Sequence, residues 1–156
     1  MEALKVEGEM EKVFDMYLIQ ENDIEMGVTC VGEALVSPTE EGGFEGERLK
    51  GRVIPMGLGV TYTPGPGRND VDSTLLLETD DGAYILMEMD AVFDIDPVAE
   101  EQLIKGENIP ADQYYFKGIV RFRTGHEKYK WLERKICVCE TKVTSWERVD
   151  TAVYMV

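Results

Sequence analysis

YYFKGIVRFRTGHEKYKWLERK, residues 114–135, decides how the chain folds. Its first half alternates strictly. Tyr114, Phe116, Gly118, Val120 and Phe122 share one side of an extended strand, and Tyr115, Lys117, Ile119, Arg121 and Arg123 share the other. A period of two with one apolar and one cationic side belongs to a β-strand that is buried on one face and wet on the other. The segment is also electrically out of place. The chain carries a formal charge of −15, yet Lys117, Arg121, Arg123, Lys128, Lys130, Arg134 and Lys135 all fall here, out of 16 Lys and Arg in all. So do the single histidine, His126, and one of the two tryptophans, Trp131.

Similar short runs surround it. VFDMYLI and IEMGVTCVGEALV precede the EEGGFEGE stretch, which reads as a turn. RLKGRVIPMGLGVTYT, NDVDSTLLLET, AYILMEMDAVF, KICVCETKVTSW and RVDTAVYMV complete the set. About eight strands rich in Val, Ile, Thr and Tyr, separated by Gly and Pro, predict an antiparallel sandwich or barrel. Two segments are helical. Asp96 caps a short helix with Pro97 in its first turn and Gly106 at its end, and Tyr129 and Leu132 share one side of a single turn between His126 and Glu133.

The turn Thr79-Asp80-Asp81-Gly82-Ala83 sets the register of the central hairpin. A three-residue loop ending in Gly82, the usual arrangement, puts Asp72, Thr74, Glu88 and Asp90 on one face; a two-residue loop would put Asp72 and Glu88 on opposite faces.

Composition excludes several function classes. A length of 156 residues suits one domain, and 44% apolar residues exclude general disorder. A pI near 4.4 opposes nucleic acid and anionic membrane surfaces, so neither is expected as a partner. No stretch approaches a membrane span, and the N-terminus lacks a signal-peptide core. With three cysteines and no disulfide framework, the expected location is cytoplasmic. No cofactor is expected: PGPGRN, residues 64–69, has no helix after it to present amides to phosphate. Cys137 and Cys139, with Cys30 and His126, lack zinc-site spacing, so no metal is expected and the cysteines are read as buried thiols. His126 follows a strand without a nucleophile nearby and is read as a surface residue.

From Gly43 onward, GGFEGERLKGRVIP, VDSTLLLETDDGA, PADQYYFKGIVRFRTG and YKWLERKICV recur in an order and spacing that resembles the domain-of-unknown-function 3237 family. The resemblance implies a small antiparallel β-barrel; with the strands and helical segments read above, the expectation is an all-β fold, a single antiparallel β-barrel of about eight strands with one or two short helices, as one domain over residues 1–156. The resemblance also implies a homodimer, and a pocket with cyclase-like or lactone chemistry in fungal relatives. Asp72, Lys117 and Trp131 match the family pattern or replace it conservatively. Gly59, Thr74, Met89 and Glu133 depart from it, the first where the family carries an aspartate. These departures imply a different ligand or a lost activity.

Two functions follow as expectations. In the first, the barrel binds a small, partly apolar, anionic metabolite, with cyclase, isomerase or lactonase chemistry. Asp72 and Glu88 are then the acid/base candidates, and Thr74, Lys117, Arg121, Tyr129 and Trp131 the ligand-binding residues. This requires the cationic side of residues 115–123 to face a cavity. In the second, that side is the barrel exterior, its charges confer solubility, and the protein is a non-catalytic dimeric scaffold or interaction domain.

Overall fold

The computed structural model describes residues 10–156. Eleven strands form one antiparallel sheet: β1 (Glu11–Ile19), β2 (Ile24–Thr29), β3 (Gly32–Pro38), β4 (Glu41–Glu45), β5 (Lys50–Val53), β6 (Leu58–Gly65), β7 (Arg68–Thr79), β8 (Tyr84–Asp94), β9 (Tyr115–Arg123), β10 (Cys137–Ser145) and β11 (Arg148–Met155). Eight close into a barrel in the order β7-β5-β4-β1-β11-β10-β9-β8, with β8 paired back to β7. The remaining three, β6, β3 and β2, extend from β7 as a flap. The long strand β7 serves both: Asp70–Thr74 pair with β6, and Leu77–Thr79 pair with β5.

EEGGFEGE is where sequence and structure part. It contains strand β4, not only a turn, because its glycines sit where backbones approach closely. A Cβ on Gly42 would lie 2.8 Å from the Tyr17 carbonyl oxygen. The short helices form as expected. In α1 (Pro97–Ile104) the Asp96 side chain accepts from the Val98 amide. Glu127–Arg134 forms a 3₁₀ helix that buries Tyr129 and Leu132.

The inside of the barrel changes character along its axis. At one end Phe14, Leu77, Ile85, Met87, Val120 and Leu132 fill it, each nearly or fully buried. Tyr129 seals that end. Its hydroxyl donates to both carboxylate oxygens of Asp81 at 2.8 Å, and Lys128 pairs with the same carboxylate at 2.8 Å. The Thr79 hydroxyl also donates to Asp81. These donors, Lys128 foremost, hold Asp81 well below the usual carboxylate range. The TDDG turn therefore locks the final helix onto the barrel. Towards the other end the inward positions become Ser73, Asn69, Thr141 and Thr151, and the interior opens into a cavity. Among the described residues no helix is long and apolar enough to cross a membrane.

Candidate functional site

The cavity measures about 800 Å³, within the range of small-molecule sites. It lies at the end where β7, β9 and β11 begin and β1, β8 and β10 finish. Phe93, Phe116 and Trp146 form an aromatic wall, with Leu18, Val143 and Val149 beside them. Phe93 and Phe116 stack with ring centroids 4.5 Å apart. The polar lining is built from short side chains. Thr141 and Thr151 share a hydroxyl–hydroxyl hydrogen bond of 2.9 Å across β10 and β11. Asn69, itself buried, accepts from Thr63 at 2.7 Å and donates to Glu100 at 2.8 Å, drawing α1 onto the rim.

Four carboxylates also line this space: Asp23, Glu25, Glu33 and Glu100. Among the described residues no lysine or arginine does. Asp23 lies in the β1–β2 connection beside Gln20 and Ser37. One of its oxygens, Oδ1, is fully buried and has no hydrogen-bond partner among the described residues. Burial raises its pKa above the usual carboxylate value; Glu147 and Glu40 add to this, and Ser37 opposes it. A carboxyl in such a setting can give or take a proton at a higher pH than an exposed one.

The residues singled out from sequence lie elsewhere. The β7–β8 loop has three residues: the Thr79 amide donates to the Ala83 carbonyl, and Gly82 adopts φ +88°. Asp72, Thr74, Glu88 and Asp90 therefore share a face, and Lys117 and Arg121 share it too, because Glu88 pairs with Arg121 and Val92 with Lys117. That face is the outside of the barrel. Phe116, Val120 and Phe122 take the inward positions of β9, so Lys117 and Arg121 do not line the cavity. Tyr129 and Trp131 sit at the sealed end. Trp131 is half-buried there, with the Arg48 guanidinium 3.6 Å over its ring. Asp72, Thr74, Glu88, Lys117 and Arg121 are brought together; Tyr129 and Trp131 are not among them.

His126 and Cys30 are exposed, whereas Cys137 and Cys139 are buried in the barrel wall. Burial pushes the Cys139 thiol up to about 11. No cluster of metal-ligating side chains occurs among the described residues.

Comparison with known proteins fits this architecture. A family model described as a protein of unknown function (DUF3237) matches residues 9–156. The chain belongs to the DUF3237 family. A UPF0311 protein of Clostridium acetobutylicum is 28% identical over 130 residues, covering 83% of this chain and 82% of that one. The crystal structure of a Rhodopseudomonas palustris protein of unknown function superposes with a TM-score of 0.88 at 25% identity, covering 94% and 96% of the two chains. An enzyme from Penicillium herquei shares the fold at a TM-score of 0.71 and 19% identity, over 99% of both chains. Within this DUF3237 barrel Gly59 is buried on the inner side of β6. A Cβ there would lie 3.2 Å from the Ser73 hydroxyl and 3.5 Å from the Gln20 amide nitrogen, so a side chain at this position would press on two residues of the cavity lining.

Missed by sequence reasoning were Asp23, Asn69, Ser73, Thr141 and Thr151. A signal existed for four of them. Small polar residues at inward positions, on strands whose other inward positions are large and apolar, mark where a barrel stops being filled.

Proposed function

We propose that the protein binds a small, partly apolar molecule inside the open half of the barrel. The observation that carries this reading is the cavity of about 800 Å³ with an aromatic wall and a hydroxyl-lined interior. Its charge favours neutral or cationic molecules over the anionic metabolite expected from the basic strand. Cyclase, isomerase or lactonase chemistry, suggested by the family resemblance, needs a proton carrier in contact with the ligand. Asp72 and Glu88 lie outside the cavity, and Asp23 lies inside it. The buried thiols of Cys137 and Cys139 support a cytoplasmic setting.

The test uses naphthylmethanol, a neutral aromatic of suitable size, followed by its fluorescence. Saturable binding is expected to the wild type. Thr61→Phe, which adds a ring at an inward cavity position on β6, is expected to weaken it about tenfold or more while the protein stays folded. Absence of saturable binding to the wild type, or equal binding to Thr61→Phe, would overturn the reading.

The outer face of β7, β8 and β9 favours a second function, self-association. Asp72 and Asp90 stand directly opposite each other, a like-charge pair that destabilises an isolated sheet. Lys117 and Arg121 lie one strand away and, among the described residues, form no ion pair. Ile119 between them is 54% exposed, and Leu58 on β6 is 45% exposed. A two-fold axis along the strands, between β8 and β9, would set the acidic pair of one copy against the cations of the other. Asp72→Lys/Asp90→Lys and Lys117→Glu/Arg121→Glu are each expected to sediment as monomers, and their equimolar mixture as a dimer. A monomeric wild type, or a mixture that stays monomeric, would refute this contact.

A further inference from the structure

We infer that the cavity is built for an amine, and that Asp23 is the group that exchanges a proton with its nitrogen and then holds the resulting cation. This rests on the cavity being a ligand site, as proposed above, and adds the class of ligand.

A single buried oxygen sets the requirement. Asp23 Oδ1 is shut away from solvent with no hydrogen-bond donor among the described residues, an arrangement that costs free energy and does most harm when the carboxyl is ionised. The surroundings add to that cost. Glu40 and Glu147 bring negative charge towards Asp23, Glu25 and Glu33 stand on the flap at the same opening, and Glu100 reaches in from α1. Of the polar neighbours, Ser37 assists the carboxylate as a hydroxyl donor, while Gln20 turns its amide nitrogen to the Ser37 carbonyl oxygen at 3.4 Å. Among the described residues no lysine or arginine lines the cavity to neutralise any of these groups. Oδ1 itself is out of a ligand's reach, but Asp23 lines the cavity, so a cation there would offset the charge of its carboxylate.

The remaining wall fits the same chemistry. Trp146, Phe93 and Phe116 line it with aromatic and apolar area, which accepts the hydrocarbon attached to a positively charged nitrogen. The proton balance closes by either of two routes. An amine entering as the free base takes the Asp23 proton, which breaks the carboxyl O–H bond and forms an N–H bond, leaving an ammonium against a carboxylate. An amine entering already protonated displaces the Asp23 proton to solvent. The product is the same ion pair in both cases, and no other bond changes.

A matched set of probes tests this: naphthylmethylammonium, naphthylmethanol and naphthoate, titrated into the full-length protein at about pH 7.5. The ammonium is expected to bind about tenfold or more tightly than the alcohol, and the carboxylate most weakly. In Asp23→Asn the preference for the ammonium over the alcohol should be lost. In the wild type, affinity for the ammonium should climb as pH rises above the ordinary carboxylate range and Asp23 gives up its proton, while affinity for the alcohol stays flat. That pH series needs no substitution, so it stands even if the variant folds poorly.

Asp23→Asn should in fact be the more stable protein at neutral pH. The folded-state pKa of Asp23 is raised, so stability falls as pH rises from the unfolded carboxylate value through the folded one. Above that window the ionised carboxylate carries the full penalty of its charge, and asparagine carries no charge. Alcohol binding without a preference for the ammonium would overturn the amine inference and leave the ligand site standing. A preference that survives in Asp23→Asn would assign it to the rim glutamates and overturn the role of Asp23. Failure of the alcohol to bind at all would overturn both readings.

Discussion

Replacing Phe14 with alanine is expected to destabilise the protein by about 3–5 kcal/mol, the usual loss for a fully buried phenylalanine. Phe14 has no solvent exposure. Its ring lies 5.2 Å from that of Phe44 and 5.8 Å, edge-on, from that of Phe122, so it ties β1 to β4 and across the interior to β9. A bulge in the pairing of β1 with β11, between Lys12 and Phe14, lets Val13 and Phe14 both be buried in succession. Measured by urea denaturation, the loss would remove a large part of the ~5–15 kcal/mol typical of a domain. Phe116→Ala should cost less, because its ring borders a cavity that already exists. A cost below about 1.5 kcal/mol at Phe14 would refute the packed end of the barrel.

Gly51→Ala is expected to cost about 3 kcal/mol or more and to open the barrel at its weakest seam. Strand β5 has four residues and bridges β4 to β7. A Cβ on Gly51 would sit 2.0 Å from the Glu78 carbonyl oxygen and 2.8 Å from the Thr79 Cα, both of them backbone atoms in a paired strand. Neither can move without breaking the β5–β7 ladder. The ordinary gain of ~0.4–1 kcal/mol from stiffening the unfolded chain is too small to offset this. Faster hydrogen exchange at Val53 and Leu77 would report the opened seam. Wild-type stability in the variant would show that β5 does not close the barrel as described.

The sequence carries the parity of the fold but not its orientation. The TDDG turn sets the β7–β8 register through Gly82 alone, and the alternation in residues 114–123 separates two faces of β9 without ambiguity. Which face looks inward is left open by the pattern, because both cavity linings and exteriors can be charged. The aromatic residues of β9 decide it: Phe116 and Phe122 are too large and apolar for the outside while the packed end needs filling. Lys117 and Arg121 follow from that choice. Asp23 is not legible at all. It sits in a connection between strands, outside any periodic pattern, and its significance comes from β3, β6 and β10–β11 closing around it. The basic turn of residues 128–135 has no such ambiguity once Tyr129 meets Asp81, a contact between residues 48 positions apart.

Within the flap, the β2–β3 hairpin joins the rest of the sheet through β6 alone, and none of its backbone ladder belongs to the eight-strand ring. The protein is thus a constant vessel with a detachable rim. Exchanging residues 24–38 for the matching segment of a relative would change what the vessel admits without altering its register, its seal at Asp81 or its closure at β5. Variation in selectivity across such proteins can accumulate in this hairpin while the ring stays fixed.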